Sequence, residues 1–137
     1  MGRILAIDYG RKRTGLAVTD SLRIIATALD TVETLSLLSY LNAYIKKETV
    51  DEFVIGMPKT LRNEDSETAP LVRKFIVELK AAFPEKSVHE VDERFTTSMA
   101  QQAMITGGMK KSDRQVKGAA DKISAVIILQ SYMESKR

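Results

Sequence analysis

The chain of 137 residues is long enough for one core, and its 44% hydrophobic and 28% charged residues are the balance of an ordinary globular protein. It has no cysteine, which excludes disulfides and thiolate metal sites and leaves oxygen ligands or the single histidine to hold any metal. A formal net charge of +3 and a pI near 9.2 suit an acidic partner such as nucleic acid without requiring one.

The opening residues, Arg3 to Asp8, form an apolar run of strand type that stops abruptly at a carboxylate. A basic loop follows, Arg11-Lys12-Arg13, bracketed by Gly10 and Gly15, and a second apolar run continues to Thr19. This predicts a hairpin whose first strand delivers Asp8 to the edge of a sheet. The glycines allow positive φ or a close approach of backbone to a ligand. A buried carboxylate is costly unless it is paired, although Asp-Tyr-Gly is also a ready turn former. The four apolar residues ahead of Asp8 are too few for a secretory signal, and no apolar run approaches the roughly 20 residues of a membrane span. The expected location is the cytoplasm.

Leu22 to Leu29 reads as a third strand, joined to the second by the turn cluster Thr19-Asp20-Ser21. Thr34 reads as the N-cap of a helix to about Lys47, with Leu37, Leu38, Leu41, Tyr44 and Ile45 along one face. Glu52 to Met57, ended by Pro58, has the continuous apolar character of a parallel strand buried on both faces. A polar loop from Lys59 to Thr68 leads to a helix from about Pro70, marked by Val72, Phe75, Ile76, Leu79 and Phe83 and stopped by Pro84. Ser87 to Val91 is a fifth strand running into Asp92-Glu93-Arg94. Thr96 or Thr97 can cap a short helix containing Ala100, Ala103 and Met104. The stretch from Gly107 to Gly118 is bracketed by glycines, rich in positive charge and expected to be mobile. A last helix starts near Ala119 or Ala120 and runs to about Ser135.

No repeat, low-complexity tract or linker interrupts this order, so one domain over residues 1–137 is expected. Hairpin strands followed by right-handed crossovers give an α/β fold, a five-stranded mixed sheet with helices on both faces and the first strand central. Asp8 then lies at the carboxyl end of that strand, where open α/β sheets keep their ligands.

Other carboxylates fall at the ends of buried elements. Asp92 and Glu93 end the fifth strand, and Asp121 opens a helix that is apolar nearly all round. A first-turn Asp is favoured by the helix dipole in its own right, by roughly 0.3–1 kcal/mol. This one, however, shares a face with Ala125, Ile128 and Tyr132, the face expected to meet the sheet. Three oxygen sources meeting at one sheet edge would make a divalent-metal site for phosphodiester chemistry, with Mg²⁺ or Mn²⁺ as the ion. Basic residues flank the same predicted edge: Arg11, Lys12 and Arg13 after Asp8, Lys59 and Arg62 after the fourth strand, and Lys110, Lys111, Arg114 and Lys117 before Asp121. Each run alone is the kind that solvated surfaces carry; their convergence suggests phosphate binding. Arg94 could clamp a phosphate or partner a carboxylate. His89, in mid-strand, is expected to be structural rather than a ligand or base.

Four blocks in order carry a resemblance over essentially the whole chain. Asp8-Tyr9-Gly10 with Gly15, Val54-Ile55-Gly56-Met57-Pro58, Asp92-Glu93-Arg94-Phe95-Thr96-Thr97 and the helix from Asp121 to Tyr132 resemble the YqgF (RuvX) family. The third and fourth blocks are the specific ones. The resemblance implies a ribonuclease H-like fold shared with Holliday-junction resolvases, and a bacterial cytoplasmic nuclease that matures the 5′ end of 16S ribosomal RNA. Older descriptions call the family a Holliday-junction resolvase. By position it implies Asp8, Glu93 and Asp121 as catalytic metal ligands, with Asp92 as an alternative from the fifth strand. In one departure, the Leu-Asn-x-x-Gly-like segment usual after Gly-Met-Pro is replaced by Lys59-Thr60-Leu61-Arg62-Asn63-Glu64, which bears on substrate contacts from that loop.

Three rival readings remain at this stage. Asp-x-Gly followed by Gly also resembles the phosphate loop of sugar kinases and actin-like ATPases, but those enclose the nucleotide between two such domains. The chain could be a non-catalytic module binding a ribosomal RNA precursor. It could also act on four-way DNA junctions, as resolvases do in the form of symmetric dimers; monomer and homodimer both remain open.

Overall fold

The computed structural model describes residues 2–57, 68–92 and 119–135, without the side chains of Asp92 and of residues 119–122. In chain order the elements are β1 (Arg3–Asp8), β2 (Arg13–Thr19), β3 (Ala26–Glu33), a 3-10 turn (Thr34–Ser36), α1 (Leu37–Lys47), β4 (Val50–Met57), α2 (Ala69–Ala82), β5 (Ser87–Asp92) and α3 (Ala119–Ser135). The five strands form one sheet in the order β3-β2-β1-β4-β5. The hairpin strands pair antiparallel, while β1–β4 and β4–β5 pair parallel. The expected mixed α/β sheet with a central first strand is therefore observed.

Period-two alternation divides the core. Leu5, Ile7, Leu16, Val18, Phe53, Ile55 and Met57 face α1 and α2, meeting Leu37, Leu41, Val72, Phe75 and Leu79. Their neighbours Ile4, Ala6, Ala17 and Val54 face α3, meeting Ala125, Ile128, Leu129, Tyr132 and Met133. The alanines of β1 and β2 let this helix lie close to the sheet. Because α3 also buries Ile127, its apolar surface extends well round the helix, as its sequence requires.

The third strand departs from expectation. Residues 20–25 form a turn, and β3 runs from Ala26 to Glu33 rather than over residues 22–29. The Asp20 carboxylate accepts from the backbone N–H of Ile24 at 2.7 Å and of Ile25 at 2.9 Å, and these bonds, led by Ile25, hold it below the usual carboxylate range. Arg23 takes a left-handed φ of 58°. Its guanidinium donates to the Gly2 carbonyl and ion-pairs with Glu52 at 2.8 Å and Asp51 at 3.0 Å. Local polar bonds thus outweigh the β propensity of Leu22, Ile24 and Ile25, which stay exposed. Thr34 is likewise no N-cap: α1 begins at Leu37, and its Ser36 cap makes no side-chain bond. The expected short helix around Ala100 and the loop at Gly107 to Gly118 lie outside the described residues.

Candidate active site

Parallel pairing fixes which strand ends share an edge. Ile7 stands opposite Ile55, and Met57 opposite Asp92, so β1, β4 and β5 all finish at one side of the sheet. Asp8 is the last residue of β1, half-buried and paired across the hairpin with Gly15. It follows Ile4 and Ala6 in alternation, which puts it on the face that α3 covers.

The far end of α3 is anchored by a side-chain bond. The Tyr132 hydroxyl donates to Glu52 Oε1 at 2.9 Å, which sets this part of the helix over the start of β4. Asp8 ends β1 and Asp92 ends β5 on either side of β4, so these two backbone positions share one edge of the sheet. Glu93 and Arg94 lie outside the described residues, as do Lys59, Arg62, Lys110, Lys111, Arg114 and Lys117.

The loop after Asp8 is held by a closed ring of hydrogen bonds. The Thr34 hydroxyl donates to the Gly10 carbonyl at 2.6 Å. Its one proton is thereby used, so the buried Thr14 hydroxyl, 2.9 Å away, donates to Thr34. The Gly10 N–H points back at Thr14 Oγ1 over a longer 3.5 Å. The Thr34 N–H also donates to the Lys12 carbonyl at 2.9 Å. Gly10 is required by the close approach of its own loop, since a Cβ there would collide with the Arg13 carbonyl oxygen. Arg11 and Lys12 of this pinned loop are exposed, and Arg13 is half-buried. A cleft of about 420 Å³ is lined by Arg11, Lys12, Arg13, Glu33 and Leu35. Thr14 and Thr34 brace this loop and Leu35 lines the cleft without a sequence signal for either, since Thr34 has the pattern of a helix cap and Leu35 that of a helix residue.

Tyr9, beside Asp8, turns the other way and packs on Phe75 with ring centroids 5.1 Å apart. Burial, and then the nearby Glu78 charge, push its phenol above the usual range, so it stays protonated and cannot serve as a base near neutrality. His89 is remote from the edge in mid-strand, 3.0 Å from Glu52 Oε1 and 5.1 Å from the Tyr132 ring centre. Among the described residues no three His, Cys, Asp or Glu side chains gather as an ion would need. Asp8 is the one candidate ligand whose side chain is described, and the candidate donor set is all carboxylate oxygen, which fits a hard divalent cation.

The family model described as "RuvX: Holliday junction resolvase" matches residues 2–135. The chain belongs to the RuvX family. A relative from Bacteroides thetaiotaomicron named "Putative pre-16S rRNA nuclease" is 53% identical, covering 100% of this chain and 99% of its own. Relatives of the same name from Porphyromonas gingivalis and Flavobacterium johnsoniae are 52% and 48% identical, covering 98% and 100% of this chain and 98% and 99% of their own. Among solved structures, Thermus thermophilus RuvC in complex with a Holliday junction substrate aligns with a TM-score of 0.58 at 16% identity, over 97% of this chain and 96% of that one. A second Thermus thermophilus RuvC structure aligns at 0.54 and 13% identity, over 96% of each chain. At such identities the likeness concerns the fold, which is ribonuclease H-like.

Proposed function

We infer that this RuvX chain is a metal-dependent nuclease that hydrolyses phosphodiester bonds in a ribosomal RNA precursor. Its task in this reading is to mature the 5′ end of pre-16S RNA in the cytoplasm, as one domain over residues 1–137. The observation that carries the reading is the setting of Asp8, a half-buried carboxylate at the carboxyl edge of the sheet, directly before a pinned loop of three cations. The name borne by relatives about half identical over their whole length supports the RNA substrate.

Asp8, Glu93 and Asp121 would hold Mg²⁺ or Mn²⁺, with Asp92 as an alternative from β5. A bound ion supplies neutralisation of phosphate charge and a more acidic attacking water. Arg11, Lys12 and Arg13 bind the strand through its phosphates, and Arg94, Lys110, Lys111, Arg114 and Lys117 extend that contact. The half-buried setting of Asp8 restricts solvent around its carboxylate and strengthens its interaction with a cation.

The second reading, cleavage of four-way DNA junctions, draws on the family's description as a Holliday junction resolvase. Matched structured RNA and DNA-junction substrates, incubated with Mg²⁺ and with Mn²⁺ separately, test both. RNA cleavage that requires the metal and stops in EDTA is expected. Preferential junction cleavage by a dimer would replace the RNA reading, and full cleavage in EDTA would sink the metal-dependent one.

A further inference from the structure

Leu35 is fully exposed, at 100% of its possible surface. A lone leucine in solvent needs no explanation in itself. This one belongs to the 3-10 turn whose first residue closes the hydrogen-bond ring on Gly10 and Thr14 and also binds the Lys12 carbonyl. Arg13 and Glu33 are paired across the β2–β3 ladder. Leu35 is thus carried on the same braced framework as the three cations, across a cleft of about 420 Å³, within the range of ligand pockets, about 300–1,000 Å³.

The two kinds of wall ask for different parts of one ligand. Arg11, Lys12 and Arg13 suit a phosphate. Leu35 offers a phosphate nothing, but it can be covered by an apolar surface carried on the same ligand. In a duplex the base faces are stacked inside and out of reach, whereas in a single strand they are free to lie on a side chain. Glu33 adds an acceptor of the kind that takes an exocyclic amine.

We propose that the cleft between the Arg11–Arg13 loop and Leu35 is a nucleotide subsite that takes one unstacked nucleotide of a single strand, phosphate on the cations and base face on Leu35. The proposal rests on the nuclease reading and deepens it: the strand next to the scissile bond is gripped unpaired. A substrate that is duplex right up to the cut is then bound less well than one with a single-stranded flank.

The chain contains no tryptophan, so Leu35→Trp creates a lone fluorescent reporter at the cleft without touching the core. Titration with a short unstructured oligoribonucleotide should quench its emission, and neither a blunt duplex of equal length nor inorganic phosphate should do so. Leu35→Ser should weaken single-strand binding about threefold to tenfold, the scale of partly covering a leucine. The slope of log affinity against log salt should stay unchanged, because no charge is lost. Wild-type affinity in Leu35→Ser, or an unquenched indole while dye-labelled oligonucleotide anisotropy reports binding, overturns the subsite and leaves the nuclease reading standing. Absence of any nucleic-acid binding by the wild-type chain would overturn both.

Discussion

Asp8 and Thr34 act on one loop from its two sides, and their substitutions separate chemistry from support. Asn at position 8 suits a turn as well as Asp does, but it offers a neutral oxygen where a cation needs a charged one. Asp8→Asn should therefore fold with stability within about 1 kcal/mol of wild type, keep nucleic-acid binding and lose nearly all cleavage. Its Mg²⁺-induced rise in melting temperature should also shrink, because that rise measures binding to the folded state. Melting curves with and without Mg²⁺ and a cleavage assay on the same preparation check this; unchanged melting and cutting would return Asp8 to a turn residue. Thr34→Val keeps the shape and removes the hydroxyl, leaving the Gly10 carbonyl without its 2.6 Å donor and Thr14 without its acceptor. A cost of about 1–3 kcal/mol in urea unfolding is expected, together with slower cleavage, and Thr34→Ser should recover both. If serine behaves like valine, the ring does not hold the loop.

At the scale of elements, α3 is anchored at its far end. Its Tyr132 is tied to Glu52, which also binds Arg23 and His89. Burial first, then the hydrogen bond to Glu52, push the Tyr132 phenol up to about 12. A folded value above the unfolded one, about 10, means stability fully present below pH 10 and lost as pH rises toward 12. Tyr132→Phe should be less stable than wild type by about 1 kcal/mol at pH 8, with the gap closing by pH 11.5. Urea midpoints at both pH values measure this, and a gap constant with pH would mean that the phenol titrates normally. The sequence made this helix legible through its extended apolar surface, β1 and β4 through their apolar runs, because burial on two faces leaves a strong pattern, and the edge strand β5 through its alternation. β3 was misplaced by four residues because its start is decided by the Asp20 side chain and the left-handed Arg23, neither of which leaves a period. Asp8 was legible as a carboxylate where a buried run stops. Thr34 and Leu35 were not, since their roles come from Gly10, Thr14 and the cation loop, which pairing of β2 with β3 brings near.

Over the whole molecule the question is how a chain of modest charge, +3 in net terms, holds a polyanion. Net charge is a weak guide, because binding depends on where cations stand relative to phosphates. By sequence the cations cluster: three follow Asp8 in the loop after β1, and Lys110, Lys111, Arg114 and Lys117 precede Asp121 and the helix α3. Each phosphate contact releases condensed counterions, so affinity falls with salt in proportion to the number of contacts. Replacing those four residues together by Ala should weaken binding to all sequences alike. It should also flatten the slope of log affinity against log salt by about 0.7 per lost contact on a single strand. The Leu35→Ser substitution should instead weaken binding with the slope intact, so the pair of variants separates charge from base contact on one plot. The same titrations on a DNA junction show whether the two substrates use the same cations. A slope that stays at the wild-type value in the fourfold variant would remove this segment from the nucleic-acid interface and leave the grip to Arg11, Lys12 and Arg13.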